Sequence, residues 1–391
     1  MMSIELRADR LSKGICGPDR LNGPLLEVTI LDPELLPLLE VAHPARIAEA
    51  TRAYSTRRVR ADAMRCLRAD LSPSAGDLVL ARIETLGHHK RLHTVNGGRK
   101  NLFVGDLVIV AYGDRYAPNQ FEAHVPRDLR DCDLAAGGGL AARVLSQHDR
   151  IRGAATRLHP LGLVASDPDG PPLNLASFAL EPPISSGPLS IPVVAVVGTS
   201  MDAGKTTTAA HLVRGLHRHG HRVGYAKVTG TAAAGDPGLL RDAGASVVLD
   251  FTDVGYASTY RLPARAVEAI FQELLLHLAA EGVDSIVIEV ADGLLQRETE
   301  ALLQSRSFRE LVDGVIFTAA DSLGAVGGVR WLRDRDIAVT ALSGRLTTSP
   351  LQVREAVAAT QLPVYGRDEL LDPATAAKLI EAATNAISDD R

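Results

Sequence analysis

Residues 198–207 read Gly-Thr-Ser-Met-Asp-Ala-Gly-Lys-Thr-Thr, a run of small residues closing on Gly-Lys-Thr. Between a buried strand and a helix, such a loop turns successive backbone N–H groups toward phosphate oxygens, and the helix N-terminus adds its partial positive charge. Lys205 is placed to reach the β- and γ-phosphates, the Thr206 hydroxyl to ligate Mg²⁺, and Gly204 to let backbone approach closely. Gly198, Thr199, Ser200, Asp202, Ala203, Gly204, Lys205, Thr206 and Thr207 are therefore the candidate nucleotide contacts. Gly198 and Gly204 bracket five residues, one more than in the common G-x4-G-K-[ST] spacing.

Other residues fit chemistry beside that loop. Glu289 lies in SIVIEV, a run too apolar to hold an unpaired charge comfortably, and reads as a Mg²⁺ ligand, with Asp292 as its substitute. Asp250 and Asp253 close SVVLDFTD and either reach the metal or cap the following loop. Lys227 ends RVGYAK, where an ammonium neutralises an attacking oxyanion or the transferring phosphoryl group. Asp236 caps a helix or contacts substrate. Thr318-Ala-Ala-Asp321 stands where GTPases carry [NT]-K-x-D, but it lacks the lysine, so ATP is favoured over GTP.

The elements that must position these residues are legible. Seven short apolar runs, at 191–197, 222–227, 246–250, 285–290, 314–318, 337–342 and 363–365, alternate with helical patterns. Several are apolar throughout, as in parallel strands covered on both faces. Ala209, Leu212, Val213 and Leu216 lie on one helical face, and Gly220 is placed to end that helix. Ser349-Pro350 and Asp372-Pro373 each read as an N-cap followed by Pro in the first turn. The expectation is a doubly wound, mostly parallel α/β P-loop domain over 190–391.

The Pro-, Ser- and Gly-rich stretch at 180–192 marks a boundary. Before it, residues 45–70 read as a helical preface. GDLVLARIE (76–84) and GDLVIVAYG (105–113) read as similar strands, and Asp167–Gly170 as a hairpin turn. Residues 1–185 are expected to form a β-rich, barrel-like domain. Between its two Gly-Asp strands lie His88, His89, Lys90, Arg91, His93, Arg99 and Lys100. No aromatic interleaves this basic stretch, so it reads as a solvated hairpin and not a base-stacking surface.

The extended loop resembles the G-T-x-T-x-x-G-K-T loop of dethiobiotin synthetase and the related cobyrinic acid amide synthases. YAKVTGT (225–231) is similar to that family's K-P-V-x-T-G strand end, and IVIEVADGLL (286–295) to its V-E-G-A-G-G-L. The similarity covers about residues 191–365, and Val228 stands where the family has Pro. The resemblance implies that Lys227 faces the carboxyl or carbamate being phosphorylated and that Glu289 holds Mg²⁺. It also implies a homodimer, since those enzymes build the acceptor site at a subunit interface. Lys205 and Lys227 are the candidate catalytic residues, and Thr206, Asp250 and Glu289 the candidate metal ligands.

Composition narrows the class. The 391 residues are 46% hydrophobic and 23% charged, with a formal charge of −5, which gives no reason to expect nucleic acid or anionic membrane as a partner. Three unpatterned cysteines, no secretory signal pattern and no apolar run near the length of a bilayer predict a cytoplasmic protein. The function expected is Mg-ATP-dependent phosphoryl transfer to a small-molecule acceptor. The alternatives are an NTP-hydrolysing switch, preferring GTP, or a metal-insertion-type accessory protein. A third use of the loop is to hold a phosphorylated cofactor such as coenzyme A.

Overall fold

The computed structural model describes residues 44–183 and 190–388. The first 43 residues of the expected barrel domain and residues 184–189 of the expected boundary lie outside the described residues.

The C-terminal domain is built on six strands: β1 (Val193–Gly198), β2 (Val223–Lys227), β3 (Val247–Asp250), β4 (Ser285–Glu289), β5 (Gly314–Thr318) and β6 (Val339–Ser343). They pair in parallel in the order β3-β2-β4-β1-β5-β6. Alternate residues of each strand enter two separate cores, Val193, Ala195 and Val197 on one face and Val194 and Val196 on the other. That double burial is why these strands are apolar throughout. The expected strand at 363–365 is reduced to one bridge, Val364 against Leu342.

Helix α1 (Lys205–His219) follows β1 and ends at Gly220, which is left-handed at φ 104°. The Ser349 hydroxyl caps the helix Pro350–Thr360, and the Asp372 carboxylate accepts from the Thr375 amide at 2.8 Å to open Pro373–Ser388.

In the N-terminal domain five strands close a ring. Leu107–Tyr112 pairs with Leu78–Thr85, which pairs with Thr156–Ala165, then Cys132–Ala136, then Leu140–Gln147, which returns in parallel to Leu107–Tyr112. The barrel expectation is met, but the helical preface is not. Only Pro44–Glu49 is α-helical, and two short strands and two 3-10 turns follow it up to Arg68. Thr51–Arg52 and Cys66–Arg68 instead pair with the strands Leu107–Tyr112 and Thr156–Ala165. Strand partners there override a helical composition.

The two domains meet along a polar seam. Arg57 reaches Asp253 at 2.7 Å and Asp250 at 3.3 Å, and the Tyr54 hydroxyl donates to Asp250 at 2.9 Å. Arg261 pairs with Asp114 at 3.1 Å. The Gly137–Gly139 turn of the barrel lies so close to the C-terminal domain that a Cβ on Gly138 would fall 1.8 Å from the Ala232 carbonyl oxygen.

Candidate functional site

The C-terminal ends of β1, β2 and β4 lie side by side, and each delivers one part of the site. Beyond β1, residues 199–204 form the phosphate loop. Gly204 takes φ 110°, open to glycine alone at little cost, and a Cβ there would stand 3.0 Å from the Gly344 Cα. The first helical bond runs from the Thr208 amide to the Gly204 carbonyl at 2.9 Å. The amides of Lys205, Thr206 and Thr207 therefore remain outside the helix's own ladder, available to an anion.

The Lys205 side chain is buried and donates to the backbone carbonyls of Ser200 at 2.8 Å and Asp292 at 2.7 Å. Burial pulls its pKa below the ordinary lysine value, against the opposing pull of Glu289 and Asp292. A bound phosphate would supply the full charge that two carbonyls replace only in part.

Strand β4 lies between β1 and β2, in register Val196–Glu289 and Lys227–Glu289. Glu289 is 1% exposed, too buried to hold its charge without partners, and it has three. It accepts from the Thr206 hydroxyl at 3.1 Å and the Tyr225 hydroxyl at 2.9 Å, and its Oε1 lies 3.3 Å from Lys227 Nζ. Lys227 also forms a close ion pair with Asp236, from the first turn of the helix Gly235–Asp242. Burial alone would lower the pKa of Lys227, but Asp236 and Glu289 outweigh it and hold the ammonium above its ordinary value. The structure thus brings Lys205, Thr206, Lys227 and Glu289 together and gives Asp236 its partner.

It does not bring Asp250 to them. One Asp250 oxygen accepts from Tyr54, and the other from the Thr252 amide at 2.7 Å and from Arg57. Asp253 is bound to Arg57 and to the Asp250 amide. Both acids hold the domain seam, and Asp250 also caps the following loop through the Thr252 amide, so the capping alternative fits Asp250 and the metal-ligand reading of Asp250 is corrected. Asp321 likewise caps its own helix, accepting from the Gly324 amide at 2.7 Å, and no base-reading role follows from it.

The site opens into a cleft of about 840 Å³ between the domains. Its far wall is the basic stretch read above as a solvated hairpin. Arg91–His93 and Arg99–Asn101 do pair as a hairpin with Lys90, Arg91, Arg99 and Lys100 exposed, and its His88, His89, Lys90, Arg91, His93 and Arg99 line the cleft, so the solvated hairpin is also a wall of the site. His93 Nδ1 accepts from the Ala234 amide at 3.1 Å, so His93 fixes the segment that carries Asp236. Burial, with Arg115 next, lowers the pKa of His89 to about 3, so that ring is neutral. Lysines and arginines outnumber carboxylates among the lining residues by eight to four.

Sequence reasoning missed Tyr225, Asn119 and Arg115. Tyr225 is signalled only by its hydroxyl, which needs a partner inside an apolar strand. Asn119 donates to the loop residue Asp202 at 2.6 Å, a contact between domains that no spacing reveals.

Residues 184–289, from before β1 to Glu289, match a family model described as the P-loop domain of a domain of unknown function, DUF1611_C. No curated protein matches the chain. Among solved structures the chain is similar to the signal recognition particle receptor FtsY of Elizabethkingia anophelis, at 18% identity over 54% of this chain and 70% of that one, with a TM-score of 0.35. It is also similar to the signal recognition particle 54 kDa protein of Aeropyrum pernix K1 in complex with GDP, at 21% identity over 54% and 53%, with a TM-score of 0.33. Likeness at this level says nothing about the nucleotide or partner of this chain. Among the described residues no helix is long and apolar enough to cross a membrane. The C-terminal half of the chain is a P-loop nucleotide-binding domain, with its loop facing a second, β-rich domain across a basic cleft.

Proposed function

We propose that the protein transfers the γ-phosphoryl group of Mg-ATP to a carboxylate or carbamate oxygen of a small acceptor held in the cleft. One observation carries this reading: Lys227 stands between Asp236 and Glu289 and lines the same cleft as Lys205 and Thr206. A second buried ammonium beside a phosphate loop is what an incoming anionic oxygen requires. The similarity to the dethiobiotin synthetase loop and strand ends supports the same assignment.

In this reading the acceptor oxygen attacks the γ-phosphorus, the bond from phosphorus to the β–γ bridging oxygen breaks, and ADP leaves with the electron pair. Lys205 and the loop amides hold the phosphates, while Lys227 holds the attacking oxygen and offsets its repulsion from the γ-phosphate. Thr206 and Glu289 would hold Mg²⁺. They fit it, because Mg²⁺ is commonly bound by one or two protein oxygens with phosphates and waters completing the shell. When bound, the ion would supply charge neutralisation for the phosphates.

A second reading, an NTP-hydrolysing switch, draws on the Asn119–Asp202 contact, through which loop occupancy would reach the barrel. The homodimer implied by the family resemblance is a separate proposal, since the barrel already supplies the second wall within one chain; light scattering tests it. To test the enzyme reading, ATP or GTP carrying a labelled γ-phosphate is incubated with Mg²⁺ and pooled carboxylic acids and amines. Label appearing in an organic product, and lost in Lys227→Met, supports transfer. Labelled inorganic phosphate released at a rate that no pool component changes, with no amide or phosphorylated product formed, supports the switch.

A further inference from the structure

Arg115 is a buried guanidinium without a carboxylate. It is 6% exposed, and among the described residues no other arginine is so buried. No acidic side chain lies within ion-pairing distance of it among the described residues. Its terminal nitrogens donate instead to neutral groups, the Ala135 carbonyl and the Gln120 side-chain oxygen at 2.6 Å, and its Nε has no partner. Burial lowers its pKa to about 10, against the opposing pull of Asp292, so it remains charged at neutral pH. A buried charge paired only with neutral groups is costly, and the cost is relieved when a counter-anion arrives.

Such an anion has a way in. Arg115 lines the cleft on the barrel side, and its neighbour His89 adds no charge. Lys90, Arg91 and Arg99 are exposed along the same wall, where they raise the local concentration of anions. Arg115, Lys205, Lys227 and Asp292 line one cleft, so the guanidinium faces the same space as the phosphate loop. The bonds to Ala135 and Gln120 fix the guanidinium plane, as a bidentate carboxylate anchor requires.

We propose that Arg115 is the anchor of the acceptor subsite and that the acceptor is a small dianion, with one carboxylate on Arg115 and its reacting anionic group at Lys227. This rests on the phosphoryl-transfer reading for the second group but not for the first. The subsite also explains why a nucleotide domain needs the barrel: the barrel supplies the cation that selects the acceptor.

The test uses the full chain and calorimetric titration with succinate, glutarate and adipate, each compared with the monocarboxylate of equal chain length. Titrations are run without nucleotide and again with a non-hydrolysable Mg-ATP analogue. At least one dicarboxylate should bind ten times or more tighter than its monocarboxylate, and Arg115→Gln should abolish that preference. If Arg115→Gln does not fold, Arg115→Lys must reduce the preference, because an ammonium keeps the charge without the bidentate geometry. No preference in the wild type under either condition, or a preference that survives in the variant, overturns the proposal. A dicarboxylate preference without any nucleotide binding would sink the phosphoryl-transfer reading and leave the subsite standing.

Discussion

Lys227 is the residue at which structure and chemistry are hardest to separate. It neutralises two buried carboxylates, Asp236 and Glu289, so its removal leaves both without a countercharge. Lys227→Met should destabilise the protein by about 3–5 kcal/mol, the usual cost of breaking a buried pair. Urea denaturation measures this, and Asp236→Asn in the same chain should recover part of it. Asp292 gives a pH signature. Burial raises its carboxyl from 3.8 to about 6 in the folded state, against the pull of Lys205, Lys227 and Arg115. Between those two values the folded state binds more protons than the unfolded one, so this group makes stability fall as pH rises. Relative to Asp292→Asn, the wild type should lose melting temperature from pH 4 to about pH 6.5. A flat difference across that range would contradict the assignment.

At the scale of elements, the sequence was informative where one interaction dominated. Continuous apolar runs could only be strands covered on both faces, and Gly220, Ser349 and Asp372 end or open helices as their types require. Residues 363–365 carry the same apolar signal but lie at the sheet edge, where one bridge to Leu342 is all that forms. The stretch 45–70 misled because its arginines serve tertiary contacts: Arg57 spans the domain seam and Arg68 reaches the Gly170 carbonyl. Lys205 and Thr206 were legible as a site because a strand–loop–helix unit fixes their spacing locally, and Glu289 because a carboxylate stands out in an apolar strand. Arg115 was not, since its meaning depends on a cleft whose other wall lies about ninety residues away in sequence. Gly137 and Gly138 line this cleft where the barrel meets the C-terminal domain. Gly138→Ala would place a methyl group against the Ala232 backbone, which cannot yield as a side chain does. It should destabilise by about 1–3 kcal/mol, as overpacking does, and weaken ligand binding more than Ala substitution at the exposed Gly97. Thermal unfolding and nucleotide titration read the two effects.

At the scale of the whole molecule, the barrel and the P-loop domain act as one unit because polar contacts cross between them on both sides of the cleft. Arg57, bound to Asp250 and Asp253, is one of these anchors, and Asn119 on Asp202 is another. Arg57→Ala leaves two buried carboxylates facing each other and should cost about 3–5 kcal/mol. Calorimetry of this variant should split one unfolding transition into two, whereas a single transition would mean that the domains are joined mainly by apolar packing. Sequence set the two halves apart by texture and read the basic stretch as a solvated hairpin, which it is, but could not show that this hairpin lines a cleft. That stretch gains its role only when the barrel is folded and docked.

The central claim is that residues 198–207 hold the phosphates of a Mg-nucleotide. Its most direct test is calorimetric titration of the full chain with ATP and GTP, with and without Mg²⁺, beside Lys205→Ala. Charge-assisted bonds from a buried ammonium are worth about 1.5–3 kcal/mol, so Lys205→Ala should weaken binding by roughly ten- to a hundredfold. The account predicts Mg²⁺-dependent binding of at least one triphosphate and that loss in the variant. Binding of neither nucleotide, or binding that Lys205→Ala leaves unchanged, would contradict it.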